Sequence, residues 1–217
     1  MERIFPNLYR FTDEPSHKGR IYSYLIVRKG GNLLLPCLGG GAVSDHLKDI
    51  ERIGGVDTQF VTHNHDIDGA LQEAVYSRFG AKLCYHRADH KKVVAKTKCP
   101  TAEFSNDGLQ LGSDFQALYF PSCSVGSSVY HWRYRGKHFL FTSHVINMVE
   151  GDWNVGLDLK KSSPNLAPQF AEIAKLPIDY TMPNVCRYGQ EEFHRFNDYT
   201  RKAFSTALRA KVRRAKK

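Results

Sequence analysis

Apolar and polar residues alternate with the period of a β-strand in three early stretches, NLYRF (7–11), IYSYLIVR (21–28) and NLLLPCL (32–38). Gly30 and Gly31 separate the last two and predict a tight hairpin. The period then lengthens. After GGG (39–41), Val43, Leu47, Ile50 and Ile53 recur at helical spacing, and Gly54 and Gly55 end that helix. TQFVT (58–62) predicts a short buried strand. Ala70, Leu71, Ala74, Val75 and Phe79 then share one helical face closed by Gly80, and AKLCYH (81–86) predicts the next strand. Strand, helix, strand, helix, strand calls for a layered arrangement of sheet and helix.

The middle of the chain turns to β: FQALYF (115–120), SSVYHWRYR (127–135) and KHFLFTS (137–143), with a turn at Gly136. A helix is expected over 168–175 and a strand near DYTMP (179–183). A long final helix is expected from about Gln190, with Phe193, Phe196, Phe204 and Leu208 toward the core. No repeat, low-complexity tract or linker interrupts the pattern, so residues 1–217 are expected to form one domain, with 201–217 as a basic helical tail.

Composition changes this picture little. Apolar residues make up 41% and charged residues 24%, which is ordinary for a globular protein. No stretch nears the roughly 18 apolar residues that span a bilayer. MERIFPNLYRF lacks the layout of a secretory signal, so a cytoplasmic protein without membrane contact is expected. The five cysteines are scattered, odd in number and free of CxxC pairs, which suits reduced thiols rather than disulfides or a zinc ribbon.

The net charge of +9 is uneven: residues 201–217 hold eight Lys and Arg and no acid, leaving 23 basic against 22 acidic groups in the rest. The body carries no nucleic-acid footprint. A solvated helix face is the preferred reading of the tail, with weak contact to RNA or an acidic partner as the alternative.

Candidate chemistry concentrates in QFVTHNHDIDGA (59–70), where a β-branched run ends in two histidines two apart, then acids, then a helix. His63 and His65 on a turn leaving a strand can present both rings to one ion. His86 and His90 in HRADH have helical i,i+4 spacing but lack the Glu of an H-E-x-x-H site, so surface histidines are expected. Cys37 and Cys84 lie in apolar strands and are expected to be inert core thiols.

The order of segments resembles the metallo-β-lactamase superfamily over almost the whole chain. TQFVTHNHDIDGA is similar to the family's T-H-x-H-x-D-H-x-G, YFPSCSVGSSVYHW to T-P-G-H-T-P-G-S, HFLFTSHV to L-F-T-G-D, and IDYTMPNVC to the final P-G-H-G. The resemblance implies an α+β fold, an αββα sandwich of two mixed β-sheets flanked by helices. It also implies a metal-dependent hydrolase using a metal-bound hydroxide on an ester, thioester, lactone or amide.

The family's ligand set is altered here. His63 and His65 match its H-x-H pair, while its third histidine is Cys123, its bridging aspartate His144 and its last histidine Val185. Direct counting puts Ile67 and Asp68 on the next two positions, and a one-residue deletion puts Asp66 and Ile67 there; both lose a second-metal ligand. Asp68, Cys123 and His144 are all ligand types, although acids, His and Cys are only 37 of 217 residues. That favours a rebuilt site over an eroded one.

The expected set is therefore His63, His65, Cys123 and His144 around one zinc ion, with iron as the alternative metal. Asp66 or Asp68 is expected to orient water or accept its proton, and a small molecule is the expected substrate. If His144 closes the tetrahedron the site is saturated and structural; if not, a position stays free for chemistry. Cys186 beside the lost last histidine is a lesser candidate ligand. A non-catalytic member of the fold acting by binding is the competing reading. A nucleic-acid-processing member is disfavoured, because only about forty residues separate His144 from Pro183, too few for the cap such nucleases usually carry.

Overall fold

The computed structural model describes residues 1–16, 19–37, 41–156, 167–187 and 189–215. In chain order the strands and helices begin with β1 (Glu2–Phe5), β2 (Leu8–Ser16), β3 (Gly19–Ile26), β4 (Leu33–Leu35), α1 (Gly41–Asp45), α2 (Leu47–Arg52) and β5 (Thr58–Phe60). They continue with α3 (Gly69–Phe79), β6 (Lys82–His86), α4 (His90–Val94), β7 (Thr101–Phe104), β8 (Leu109–Leu111), β9 (Phe115–Tyr119), β10 (Ser128–Tyr134) and β11 (Lys137–Ser143). The last part holds β12 (Ile146–Val149), β13 (Asp152–Val155), α5 (Ala167–Lys175), β14 (Tyr180–Pro183), β15 (Val185–Arg187), β16 (His194–Arg195) and α6 (Asp198–Ala215).

The strands form two main sheets. The first runs β1-β2-β3-β4-β5-β6-β7 with β15 added beside β3, and the second runs β16-β14-β11-β10-β9-β8. Both are mixed: β4 to β7 pair parallel, as do β11 and β14, and the rest are antiparallel. The alternation read from the sequence sorts side chains between layers. Tyr22, Tyr24 and Ile26 of β3 meet Tyr130, Trp132, Phe139 and Phe141 of the second sheet in a common core. The intervening Leu25 and Leu34 turn outward to Val43, Ile50, Leu71 and Val75 of the first helical layer. Val129 and Leu140 turn outward to Phe170 and Ile173 of α5 and Phe204 and Leu208 of α6. The result is an αββα sandwich.

Three expectations change. The helix predicted over 43–53 breaks at His46 into α1 and α2, with His46 outside helical geometry and its ring held by Asp49 at 2.9 Å. The final helix begins at Asp198 instead of near Gln190, because residues 194–195 are drawn into the edge strand β16. Phe193 is correspondingly exposed, its ring resting against Phe5, while Phe196, Phe204 and Leu208 are buried as expected. His86 is no surface residue: it is buried, stacked on Tyr119 at 4.2 Å and bonded to Asn106, whereas His90 is exposed. The GGG turn lies largely outside the described residues, since only Gly41 is among them.

Candidate metal centre

Three connections meet at one end of the sandwich. One follows β5 and carries His63 and His65, one joins β9 to β10 and carries Cys123, and one follows β11 and carries His144. One backbone and one side-chain bond hold the first two together: Ser128 N–H donates to Thr62 O at 2.7 Å, and the Tyr130 hydroxyl donates to Val61 O.

One donor atom each from His63, His65 and Cys123 falls within 4.8 Å of the other two. It is the only such group of three or more His, Cys, Asp or Glu among the described residues. The rings of His63 and His65 are 5.0 Å apart and Cys123 Sγ lies 3.8 Å from His65 Nδ1. His63 is buried, Cys123 half-buried and His65 exposed, so the group opens to solvent on one side. His144 packs its ring 4.8 Å from that of His63 and interacts with the Cys123 sulfur, but remains outside the three-donor group. The three-donor group thus forms without His144, which stands beside it in contact with the Cys123 sulfur.

Asp66 stands behind His63 rather than in front of it. Its Oδ2 accepts from His63 Nδ1 at 2.9 Å and from the Thr62 hydroxyl, and its Oδ1 accepts from the Cys37 thiol at 3.5 Å. That fixes the His63 tautomer and leaves Nε2 as the atom available for an ion. Nε2 is buried with no hydrogen-bond partner beyond its interaction with the Cys123 sulfur. A buried imidazole nitrogen with no other partner is costly unless something fills the gap, and two further donors converge beside it. The residues present fit a metal ion.

Asp68 is placed elsewhere: its carboxylate accepts from Leu71 N–H at 3.4 Å and caps α3. The two carboxylates weighed as catalytic thus have other tasks, one orienting a histidine and the other starting a helix. Ile67 is buried with Val61, Leu83, Tyr85 and Val93, which turns it away from the donors. Val185 pairs with Ile21 in the first sheet. Cys186 donates to Gln190 O at 3.1 Å and is not a member of the donor group. Cys84 is an inert core thiol, pushed up to about 12 by burial.

The electrostatics bind the cluster together. Burial works to lower the His63 pKa, but the Asp66 carboxylate and then the Cys123 sulfur outweigh it and hold the imidazole at about 10. Cys123 is pulled down to about 5, first by its contact with His144 and then by His63, against the burial that would raise it. Burial likewise opposes ionisation of Asp66, and His63 with the Thr62 hydroxyl overcomes it, leaving that pKa below the usual carboxylate range. Without metal, Cys123 is a thiolate facing an imidazolium.

Sequence reading missed the group that ties the ligand loops together. Asp89, buried in the turn before α4, accepts from Asn64 N–H and Asn64 Nδ2 at 3.1 Å each and from the Ser124 hydroxyl at 2.7 Å. Asn64 lies between the two histidines and Ser124 follows Cys123, so one carboxylate grips both loops. Gly126 makes room for it, since a Cβ there would meet Asp89 Cγ at 2.6 Å. The signal in the sequence was HRADH itself, whose acid mattered more than its histidines.

No protein-family model and no curated protein matches the chain. Solved structures do. The MIM-2 metallo-β-lactamase superposes with a TM-score of 0.62 at 17% identity, covering 98% of this chain and 88% of that one. A subclass B3 metallo-β-lactamase with an active-site glutamic acid gives 0.61 at 16% identity, covering 99% and 89%. A Cronobacter sakazakii metallo-β-lactamase with a HARLDQ motif gives 0.62 at 11% identity, covering 97% and 92%. At these identities the likeness establishes the fold: the described residues form a metallo-β-lactamase-type sandwich.

Proposed function

We propose that this metallo-β-lactamase-fold protein is a metal-dependent hydrolase with one ion, zinc by donor type, held by His63, His65 and Cys123. The observation that carries this reading is three soft or borderline donors within 4.8 Å of one another, with His65 exposed so that the group is reached from solvent. A saturated His3Cys set would have pointed to a structural ion. When bound, the ion would supply Lewis acidity to a substrate carbonyl and to water.

The chain's own residues do the rest. Asp66 holds the Nδ1 proton of His63 and so keeps the ring from turning. Asp89 keeps the two ligand loops at a fixed spacing. His144, whose Nδ1 lies 3.3 Å from the Ser143 hydroxyl, stands against the Cys123 sulfur and helps hold it in place. The substrate is a small molecule with an ester, thioester, lactone or amide bond. The lost second-metal positions leave less to stabilise a departing group, so turnover is slow.

The test is metal content and hydrolysis measured together. Purified protein should hold zinc near one equivalent, a His63→Ala/His65→Ala variant should lose it, and a thioester or aryl-ester substrate should be turned over only by the loaded parent. Zinc bound without turnover of any substrate in the panel would favour the competing reading, a binding protein with a structural ion. Full occupancy in the double variant would remove the site altogether.

A further inference from the structure

The outer face of the second sheet changes character partway along its strands. Where α5 and α6 cover it, the outward residues are Leu118, Val129 and Leu140. Past the end of α5 the same alternation brings out Gln116, His131, Arg133 and His138 instead. Leu176 and Pro177, just beyond that helix, form the rim of a cleft of about 240 Å³ lined by these side chains. Nothing in the hydrolase reading uses it.

His131 on β10 and His138 on β11 are diagonal neighbours across an antiparallel pair, since His138 lies opposite Arg133. His131 Nε2 and His138 Nδ1 are 2.9 Å apart, and the rings stack at 17° with centroids 5.1 Å apart. Two imidazole nitrogens bound side by side to one transition-metal ion, each about 2.0–2.1 Å from it, are themselves about 3 Å apart. That spacing is also the spacing of an N–H···N hydrogen bond, so an ion bound by both nitrogens would displace the shared proton and sit to the side of the line between them.

We propose that His131 and His138 form a second metal site, taking a divalent ion of the copper or nickel type, with its remaining positions open to the cleft for water or a small ligand. Imidazole is the ligand such ions prefer among side chains, and two on adjacent strands are held without the entropy cost of gathering them from loops. Burial first, then His138 and Arg133, keeps the His131 pKa down at about 4, so the ring is neutral at neutral pH and only the proton shared by the pair has to leave. His138 is lowered as well, mainly by burial.

The charges that face the pair are accounted for. Asp114 at the cleft wall is occupied by Arg28 through two hydrogen bonds of 3.0 and 2.5 Å. Asp179 accepts the His138 backbone N–H at 2.9 Å and lies 3.8 Å from Lys137. Arg133 and Arg201 are the neighbouring cations and oppose a dication, which limits the affinity, and Arg133 provides a control.

The experiment is titration of the full chain with copper(II) chloride and with nickel(II) chloride, followed by calorimetry and, for copper, by electron paramagnetic resonance. It is run on the parent loaded with zinc and on the His63→Ala/His65→Ala variant. Both should bind one equivalent with copper tighter than nickel, and the copper spectrum should carry nitrogen hyperfine structure. His138→Gln, at a half-buried position that tolerates the change, should weaken binding at least tenfold, as should His131→Asn. Arg133→Gln should tighten it two- to tenfold.

Unchanged affinity in His138→Gln, or weakening in Arg133→Gln as an anion site would show, overturns the proposal. Because the double variant lacks the first donor group, failure of the hydrolase reading leaves this outcome unaffected.

Discussion

Replacing Asp89 by alanine separates a structural loop contact from a metal-positioning one. The carboxylate accepts three hydrogen bonds from the two loops that carry His63, His65 and Cys123. Hydrogen bonds to a charged acceptor contribute roughly 1.5–3 kcal/mol each, so the gross loss is about 4–9 kcal/mol. Two effects offset it: water can enter the void, and a buried carboxylate no longer has to be desolvated. The expected net cost is about 2–4 kcal/mol, or roughly a 5–15 °C fall in melting temperature for a chain of this size. Asp89→Asn keeps one acceptor oxygen and should cost about half as much.

The functional prediction is separate. With Asn64 and Ser124 released, the donor group must be gathered at the expense of binding energy, and zinc affinity should fall about 10- to 100-fold. Urea denaturation gives the first quantity, and competition against a fluorescent chelator at a temperature where the variant is folded gives the second. A variant that loses the predicted stability yet binds zinc like the parent would refute the coupling, leaving Asp89 as a loop anchor only.

Asp68→Ala removes a helix cap and should cost about 1 kcal/mol by urea denaturation while leaving zinc affinity unchanged; a large loss of affinity would return Asp68 to the site. Gly69→Ala should fail to fold or fold only when cold, because the added methyl carbon would lie 2.2 Å from Lys96 O, and thermal melting reads this directly. The Arg28 guanidinium, against burial, holds the Asp114 carboxyl below the usual carboxylate range. A depressed folded-state pKa means the unfolded chain takes up the proton first as pH falls. The stability it contributes is therefore full above about pH 4 and lost below it. Asp114→Asn should be destabilised at neutral pH and show a shallower decline below about pH 4 than the parent; parallel curves would refute this.

Deleting residues 201–217 should unfold the second helical layer, since it removes the buried Phe204 and Leu208, each about 1.5–3 kcal/mol of burial. Contact with RNA through the tail is better tested by Lys202→Glu/Arg209→Glu on exposed positions, which should abolish any binding seen in a filter assay and leave melting unchanged.

The sequence reading succeeded where a single period decides the structure. β11 matches KHFLFTS residue for residue, and β6 and α3 fall within a residue or so of the expected ranges, because one face of each is buried against a continuous apolar layer. It failed where a few tertiary bonds override the pattern. Phe193 and Phe196 continue the helical spacing of Phe204 and Leu208, yet pairing of residues 194–195 with β14 holds that segment extended. Periodicity carries no information about an edge strand two residues long.

The site divides along the same line. That His63, His65 and Cys123 meet was legible because each follows or precedes a strand whose order in the sandwich the resemblance supplied. Which carboxylate does what was not legible, since Asp66, Asp68 and Asp89 differ only in direction. A 3₁₀ turn at residues 64–66 swings Asp66 back onto His63, and the start of α3 claims Asp68 three residues from Leu71. Asp89 sits some twenty-five residues from the loop it holds, in a segment whose histidines drew attention away from it. A donor set can be read from residue types and strand order; the carboxylates that aim it depend on turns of three residues. The Asp89→Ala and Asp68→Ala pair tests that division, because zinc affinity unchanged in both would mean that neither carboxylate aims a ligand.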